Sequence, residues 1–439
     1  MFNSNWKKLP GAILIAIPII LFLTVCMRGV VNVPLMDDYD AILQFLATYR
    51  GEPNAVAKVW WVLTSQHTQY KLIIPHTIVV FEYMWTGHVN FAVLQWIGNG
   101  MMLITGYLLW ILLARTGRSM RERIWLFVPV AWILFAPQYF ETVDWAMGGL
   151  QNLTVVPAAM AALMLLTRNK PAAFAWACIF LSLAIACSGN GFMVGALGAL
   201  LLVATRRWWR ILTWCGVTLA GALLYGVHYS MNGALSPPGV KLFLLNLLIT
   251  PLVFLGSPAN VWPVAMVAGG VLVVAFALLM RRDWYRREPA SFAIALFILL
   301  SALLVAMGRY GLTGGTASRY RIYSLLFVCT LWIASVRLNV RWAGFDTPDR
   351  RKVLAGLITC SVLFCLVTTY KADHILVKRK RLLLAHLSQW EAHPQALVLI
   401  PDELPVMSEP QWVSFRKRCL PIMKSAIETH VYVPPDLRR

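Results

Sequence analysis

Charge is scarce in this sequence. Only 13% of its 439 residues are charged, and Asp and Glu together number 19, against roughly 25% charged in a soluble globular domain. Gly and Pro stand at ordinary levels, which excludes collagen and low-complexity disorder. No CxxC or Cys/His metal spacing occurs. Seven cysteines, Cys26, Cys178, Cys187, Cys215, Cys329, Cys360 and Cys365, lie in apolar runs, and only Cys419 lies in a polar segment. That distribution suits small buried hydrophobes and argues against a disulfide framework. Internal repeats and a Gly-rich nucleotide loop in a strand–helix setting are also missing.

What is present is apolar: 59% of residues are hydrophobic, and the mean hydropathy is +0.66. This composition points to an all-α polytopic membrane protein. About 20 apolar residues are needed to span a bilayer as a helix. The first such run, Pro10 to Gly29, is too long for a signal peptide and lacks a small-x-small cleavage site. Ten more follow, at about 91–114, 124–138, 149–167, 172–187, 192–205, 209–227, 263–280, 289–307, 322–336 and 353–370. The reading is therefore of about eleven transmembrane helices, with the chain ends on opposite sides.

Charge placement agrees with that count. With Lys7 and Lys8 cytoplasmic, the inside segments carry 20 Lys+Arg against 5 acids, and the outer ones before residue 371 carry 8 against 7. Such an excess of inside cations is an orientation signal. It explains most of the formal charge of +20 without nucleic acid, which is not expected as a partner. The chain divides into a membrane unit, 1–370, and a small outer tail, 371–439. Within the outer loop 30–90, Ile73–Trp85 is short and carries His76 and Glu82, so it reads as an interfacial helix. Residues 41–49 show helical apolar spacing, with Asp40 as the expected N-cap. In the tail, Lys378–His386 reads as helix and Ala396–Ile400 as strand, the makings of a small α/β cap.

The candidate chemistry lies outside. Directly after the first span stand Asp37, Asp38 and Asp40, and adjacent carboxylates at an interface are costly unless solvated or facing cations. Asp37 or Asp38 is the expected general base toward a hydroxyl. Arg309, Arg319 and Arg321 flank Gly311, Gly314 and Gly315, where a close-approaching backbone and planar guanidinium forks suit a phosphate. His67 and Lys71 are further candidates for binding substrate. Glu141 and Asp144, three apart, read as a second acidic pair for sugar hydroxyls or a divalent ion, although two carboxylates do not make a metal site. No metal and no cofactor are expected.

Several motifs resemble the GT-C glycosyltransferases, which use polyprenyl-phosphate sugars. These are the Asp-Asp pair opening the first outer loop, Thr68-Gln69-Tyr70-Lys71 leading into a Pro-containing helix, Phe140–Gln151, Ser188-Gly189-Asn190-Gly191 and Gly308–Tyr320. The resemblance implies a GT-C-like fold with membrane-parallel helices in the first outer loop. It implies a first acidic residue acting as catalytic base, a polyprenyl-phosphate-linked sugar donor and a glycan or glycolipid acceptor. Among bacterial members, the size resembles the serotype-converting glucosyltransferases that decorate O-antigen. The expected location is the bacterial inner membrane, with a cytoplasmic N-terminus, a periplasmic C-terminus and membrane lipids as neighbours. The alternatives are a lipid or glycan transporter or flippase, and an O-antigen polymerase or ligase.

Overall fold

The computed structural model describes residues 9–230, 239–308, 317–392 and 409–435. The described residues form helices and no β-strand. They begin with α1 (Leu9–Gly29), a π-helical turn (Tyr39–Gln44) running into α2 (Phe45–Gly51), α3 (Ala55–Thr64) and α4 (Ile73–Thr86). The middle of the chain forms α5 (Phe91–Ala114), α6 (Met120–Leu134), α7 (Ala146–Leu166), α8 (Pro171–Cys187), α9 (Gly191–Val203) and α10 (Trp208–Gly226). Then come α11 (Val240–Leu255), α12 (Trp262–Met280), the single turn α13 (Trp284–Arg287), α14 (Pro289–Gly308) and α15 (Arg321–Arg337). The last two are α16 (Pro348–Ala392) and α17 (Glu409–Glu428).

Each of the eleven apolar runs falls on a helix. Six of these helices, α1, α5, α7, α12, α14 and α16, are long and apolar enough to cross a membrane, which makes the chain a polytopic membrane protein. The others are shorter or less apolar. Helix α6 starts earlier than its hydropathy predicts, because Ser119 and Glu122 form a capping box, and it stops three residues before Pro137.

Two further expectations change. Asp40 is not an N-cap: it lies within the π-helical turn and pairs with Arg418 of α17 at 2.8 Å. The basic stretch 378–386 is not a separate helix. No Gly or Pro interrupts the chain between Thr368 and Trp390, so α16 runs for 45 residues. At ~1.5 Å per residue that is about 68 Å, more than twice a hydrocarbon core of roughly 30 Å. The strand-like run Ala396–Ile400 lies outside the described residues.

One apolar core joins α1 to α5–α9, α14 and α15. A second, at the end of the bundle bearing the first loop, joins Val33, Leu35 and Ile42 to Leu383 and Leu387 of α16 and to Cys419 and Met423 of α17. The tail therefore packs on the loop. Tyr432 Oη donates to the Asn32 carbonyl at 2.7 Å, and Val89 N donates to the Val431 carbonyl at 2.8 Å. The tail and the loop thus share one end of the bundle, opposite Leu9. Helix α4 leaves Phe81, Met84 and Trp85 exposed while burying His76, Val79 and Glu82, the two-faced pattern of an interfacial helix.

Candidate functional site

Two amides on α5 set the frame of the site. Gln95 accepts from Val31 N at 3.0 Å and donates to the Asp144 carbonyl at 2.7 Å. Asn99, one turn on, donates to the Val143 carbonyl at 2.9 Å. Between them Gly98 lets α7 approach, since a Cβ there would stand 2.9 Å from the Gly149 carbonyl carbon. The start of the first loop and the turn before α7 are thereby brought together.

Asp37 and Asp38 then face opposite ways. Both Asp38 oxygens accept backbone amides, Oδ2 from Leu35 at 3.0 Å and Oδ1 from Met147 at 2.8 Å, and the residue is fully buried. Burial pushes its carboxyl up to about 8. Asp37 follows Met36, whose φ of 52° is a strained left-handed conformation for a long side chain. Its own side chain keeps 38% exposure, with Oδ2 3.5 Å from His67 Nε2. Burial works to raise the Asp37 carboxyl, but nearby His67, with Arg319 and Arg418, outweighs it and holds the group below the usual carboxylate range.

His67 sits on a tight turn in which it and Tyr70 exchange backbone hydrogen bonds at 2.9 Å. Thr68 in that turn has φ 50°, which is costly for a β-branched residue. Asp37 and His67 thus each neighbour a strained residue.

They line a cavity of ≈ 630 Å³. Arg319 stands on the same cavity, 3.5 Å from Glu141 Oε2, with its guanidinium over the rings of Trp145 and Tyr320. The remaining wall is neutral. Gln151, Asn152, Ser188 and Asn190 supply amides and a hydroxyl, and Trp145, Tyr225, Tyr229 and Tyr323 supply rings. Gln151 donates to Ser188 Oγ at 3.3 Å, and Asn190 Nδ2 donates to Tyr323 Oη at 2.9 Å. Residues from Thr68–Tyr70, Trp145–Gln151, Ser188–Asn190 and Arg319–Tyr320, far apart in sequence, meet here.

Other expected site residues are engaged elsewhere. Lys71 is fully buried, donating Nζ to the Thr64 carbonyl at 2.7 Å and to the Val227 carbonyl. It fastens the α3–α4 connection to the end of α10, and does not line the cavity. Glu141 and Asp144 do not form an acidic pair on one helical face: Glu141 lies in a 3₁₀ turn beside Arg319, and Asp144 precedes α7. Both Asp144 oxygens accept from Arg379 of α16, at 2.8 and 2.9 Å, and the pair is buried. Burial pushes the Asp144 carboxyl up to about 6, against the pull of Arg379. Arg321 donates to Gln138 Oε1 at 3.0 Å, away from the cavity lining. Arg309 and the glycines after it lie outside the described residues. Among the described residues no cluster of three or more His, Cys, Asp or Glu is placed to hold a metal ion.

Trp145, Tyr225 and Tyr229 on the cavity wall and Arg379 beside Asp144 are functional-site residues that no motif in the sequence singles out. Of these, only Trp145 lies within a recognisable motif, Phe140–Gln151. Trp60, Trp61 and Trp85, the aromatic residues of the first outer loop, stand off the cavity, and Trp85 is 81% exposed. No protein-family model matches the chain, and no curated protein matches it.

Proposed function

We propose that this protein is an integral-membrane glycosyltransferase of GT-C type. It moves a sugar from a polyprenyl-phosphate carrier to a glycan or glycolipid acceptor, O-antigen among the candidates, at the outer face of the bacterial cytoplasmic membrane. The observation that carries this reading is the placement of Asp37 and Arg319 on one cavity at the loop-bearing end of the bundle. A carboxylate that stays ionised faces the same space as a guanidinium backed by aromatic rings.

In this reading Asp37 takes the proton from an acceptor hydroxyl, and that oxygen attacks the anomeric carbon of the donor sugar. The bond from that carbon to the phosphate oxygen breaks, and the leaving phosphate carries away the electron pair. A single displacement inverts the configuration. Arg319 neutralises the charge growing on the phosphate, the electrostatic part of the catalysis. The neutral amides and hydroxyl suit sugar hydroxyls, and Trp145 and the tyrosines suit the apolar face of a sugar ring. Asp37, not Asp38, is the base, because only the Asp37 carboxylate reaches the cavity.

The test is transfer from polyprenyl-phosphate sugars by the purified chain in nanodiscs. Asp37→Asn keeps the size and removes the base, so it should abolish transfer while leaving the yield of folded protein unchanged. Transfer near the wild-type rate by Asp37→Asn overturns the mechanism.

A further inference from the structure

We infer that the outer part of α16, with Arg28 of α1, forms a binding site for an anionic phospholipid of the leaflet on the loop-bearing side. A groove of ≈ 500 Å³ lies there, lined by Arg28, Tyr370, Asp373, His374, Val377, Lys378 and Arg381. Arg28 closes one side through an ion pair to Asp373 at 3.0 Å. With Lys378 and Arg381, three cations meet one acid in this groove.

The lipid assignment rests on what lies beneath the groove. On α16, Leu363, Val367, Tyr370, His374 and Arg381 recur at steps of three, four and seven, so they share one helical face. The lower half of that face is apolar and uncovered: Leu363 is 59%, Val367 54% and Tyr370 77% exposed. Apolar groups left open on a spanning helix face acyl chains. The upper half of the same face, exposed at His374, Lys378 and Arg381, is cationic. A continuous face that is apolar below and cationic above matches a phospholipid, with its chains on the apolar half and its phosphate in the groove.

Side-chain direction strengthens the match. Helix α16 runs toward the loop-bearing end, where Lys380 Nζ donates to the Val30 carbonyl at 2.8 Å. Helical side chains tilt toward the N-terminus of their helix, so Lys378 and Arg381 lean back toward the membrane. Their long stems let the charged heads reach headgroup depth. Arg28, one residue before the end of α1, approaches the same level from the neighbouring helix.

The test is native mass spectrometry of the full chain, stripped of lipid in neutral detergent. It is then titrated with phosphatidylglycerol or phosphatidylcholine of identical acyl chains. One phosphatidylglycerol should be retained about 25-fold more strongly than phosphatidylcholine, given roughly fivefold for each of the groove's two net positive charges near an anionic headgroup. Lys378→Glu/Arg381→Glu should remove that preference, whereas Lys352→Glu, exposed at the opposite end, should keep it. The neutral pair Lys378→Gln/Arg381→Gln is read in parallel, and unfolding midpoints without lipid identify any misfolded variant. Equal retention of both lipids by the wild type, or an undiminished preference in the folded groove variants, overturns the site. Displacement of the bound phosphatidylglycerol by equimolar polyprenyl phosphate also overturns it, since the groove would then belong to a sugar carrier. The readout is lipid retention, so it is independent of whether transfer is observed.

Discussion

An oxygen of the Asp38 carboxyl accepts the Met147 amide at 2.8 Å, tying the loop after the first helix to the start of α7 across 109 residues of sequence. Asp38→Asn replaces one accepting oxygen with an NH₂ group that opposes a backbone N–H. One buried amide then loses its partner, at a cost of about 1–3 kcal/mol. Thermal unfolding in detergent should show the loss in Asp38→Asn and not in Asp37→Asn. Equal unfolding midpoints would place the strain of this loop elsewhere.

The pairing of Asp37 with His67 sets a pH dependence. The Asp37 carboxyl lies below its ordinary value, so the proposed base is ionised at neutral pH and is lost only as pH falls through its depressed value. Removing His67 withdraws one of the neighbours that, with Arg319 and Arg418, hold the Asp37 carboxyl down, so the Asp37 value must rise. The acid limb of a rate–pH profile should therefore move to higher pH in His67→Ala. A limb that stays in place would mean that Asp37 does not limit the rate.

Helix content was legible in the sequence because hydrophobic length and capping are local properties. The eleven apolar runs coincide with helices, and the 73–85 stretch with the two-faced α4. The length of α16 was also local, written in the lack of Gly or Pro between Thr368 and Trp390, but the change from apolar to basic residues hid it. What was not legible is pairing across the chain. Asp37 and Asp38 are adjacent in sequence, and contacts distant in sequence, Met147 N to Asp38 and His67 to Asp37, separate their surroundings. The same holds for Lys71, satisfied by two carbonyls, and for Asp144, whose partner Arg379 is 235 residues away.

That buried Asp144–Arg379 pair, with side-chain exposures of 1% and 3%, fixes α16 to the turn before α7. Arg379→Met leaves a carboxylate buried without its cation, which costs about 3–5 kcal/mol. Asp144→Leu/Arg379→Met removes both charges and should recover much of that loss. Unfolding midpoints of the single and double variants test this. A double variant no more stable than the single would show that the pair does not hold the two elements together.

Because α17 packs on the first loop, the tail belongs on the loop's side of the membrane. A phosphatase fused after Arg439 should be active and one fused near Phe345 silent, if the loop is periplasmic. Activity at Phe345 alone would invert the orientation, and activity at both would contradict the packing of tail on loop.

Arg319 offers the sharpest test of the proposed leaving-group site. Its guanidinium does three things at once: it pairs with Glu141, lies over Trp145 and Tyr320, and faces the cavity. A planar, delocalised cation can stack on a ring and present a donor fork to a phosphate at the same time. An ammonium keeps the charge and loses the plane. Arg319→Lys should therefore transfer sugar much more slowly than wild type, and Arg319→Ala more slowly still, by about 100-fold if one charge-stabilising donor is lost. The rate should be followed against polyprenyl-phosphate-sugar concentration, so that donor binding and turnover are read separately. An arginine that only snorkels at the interface tolerates lysine, since the stem and the charge remain. Wild-type kinetics in Arg319→Lys would thus remove Arg319 from the chemistry and leave the donor phosphate to a cation outside the described cavity lining.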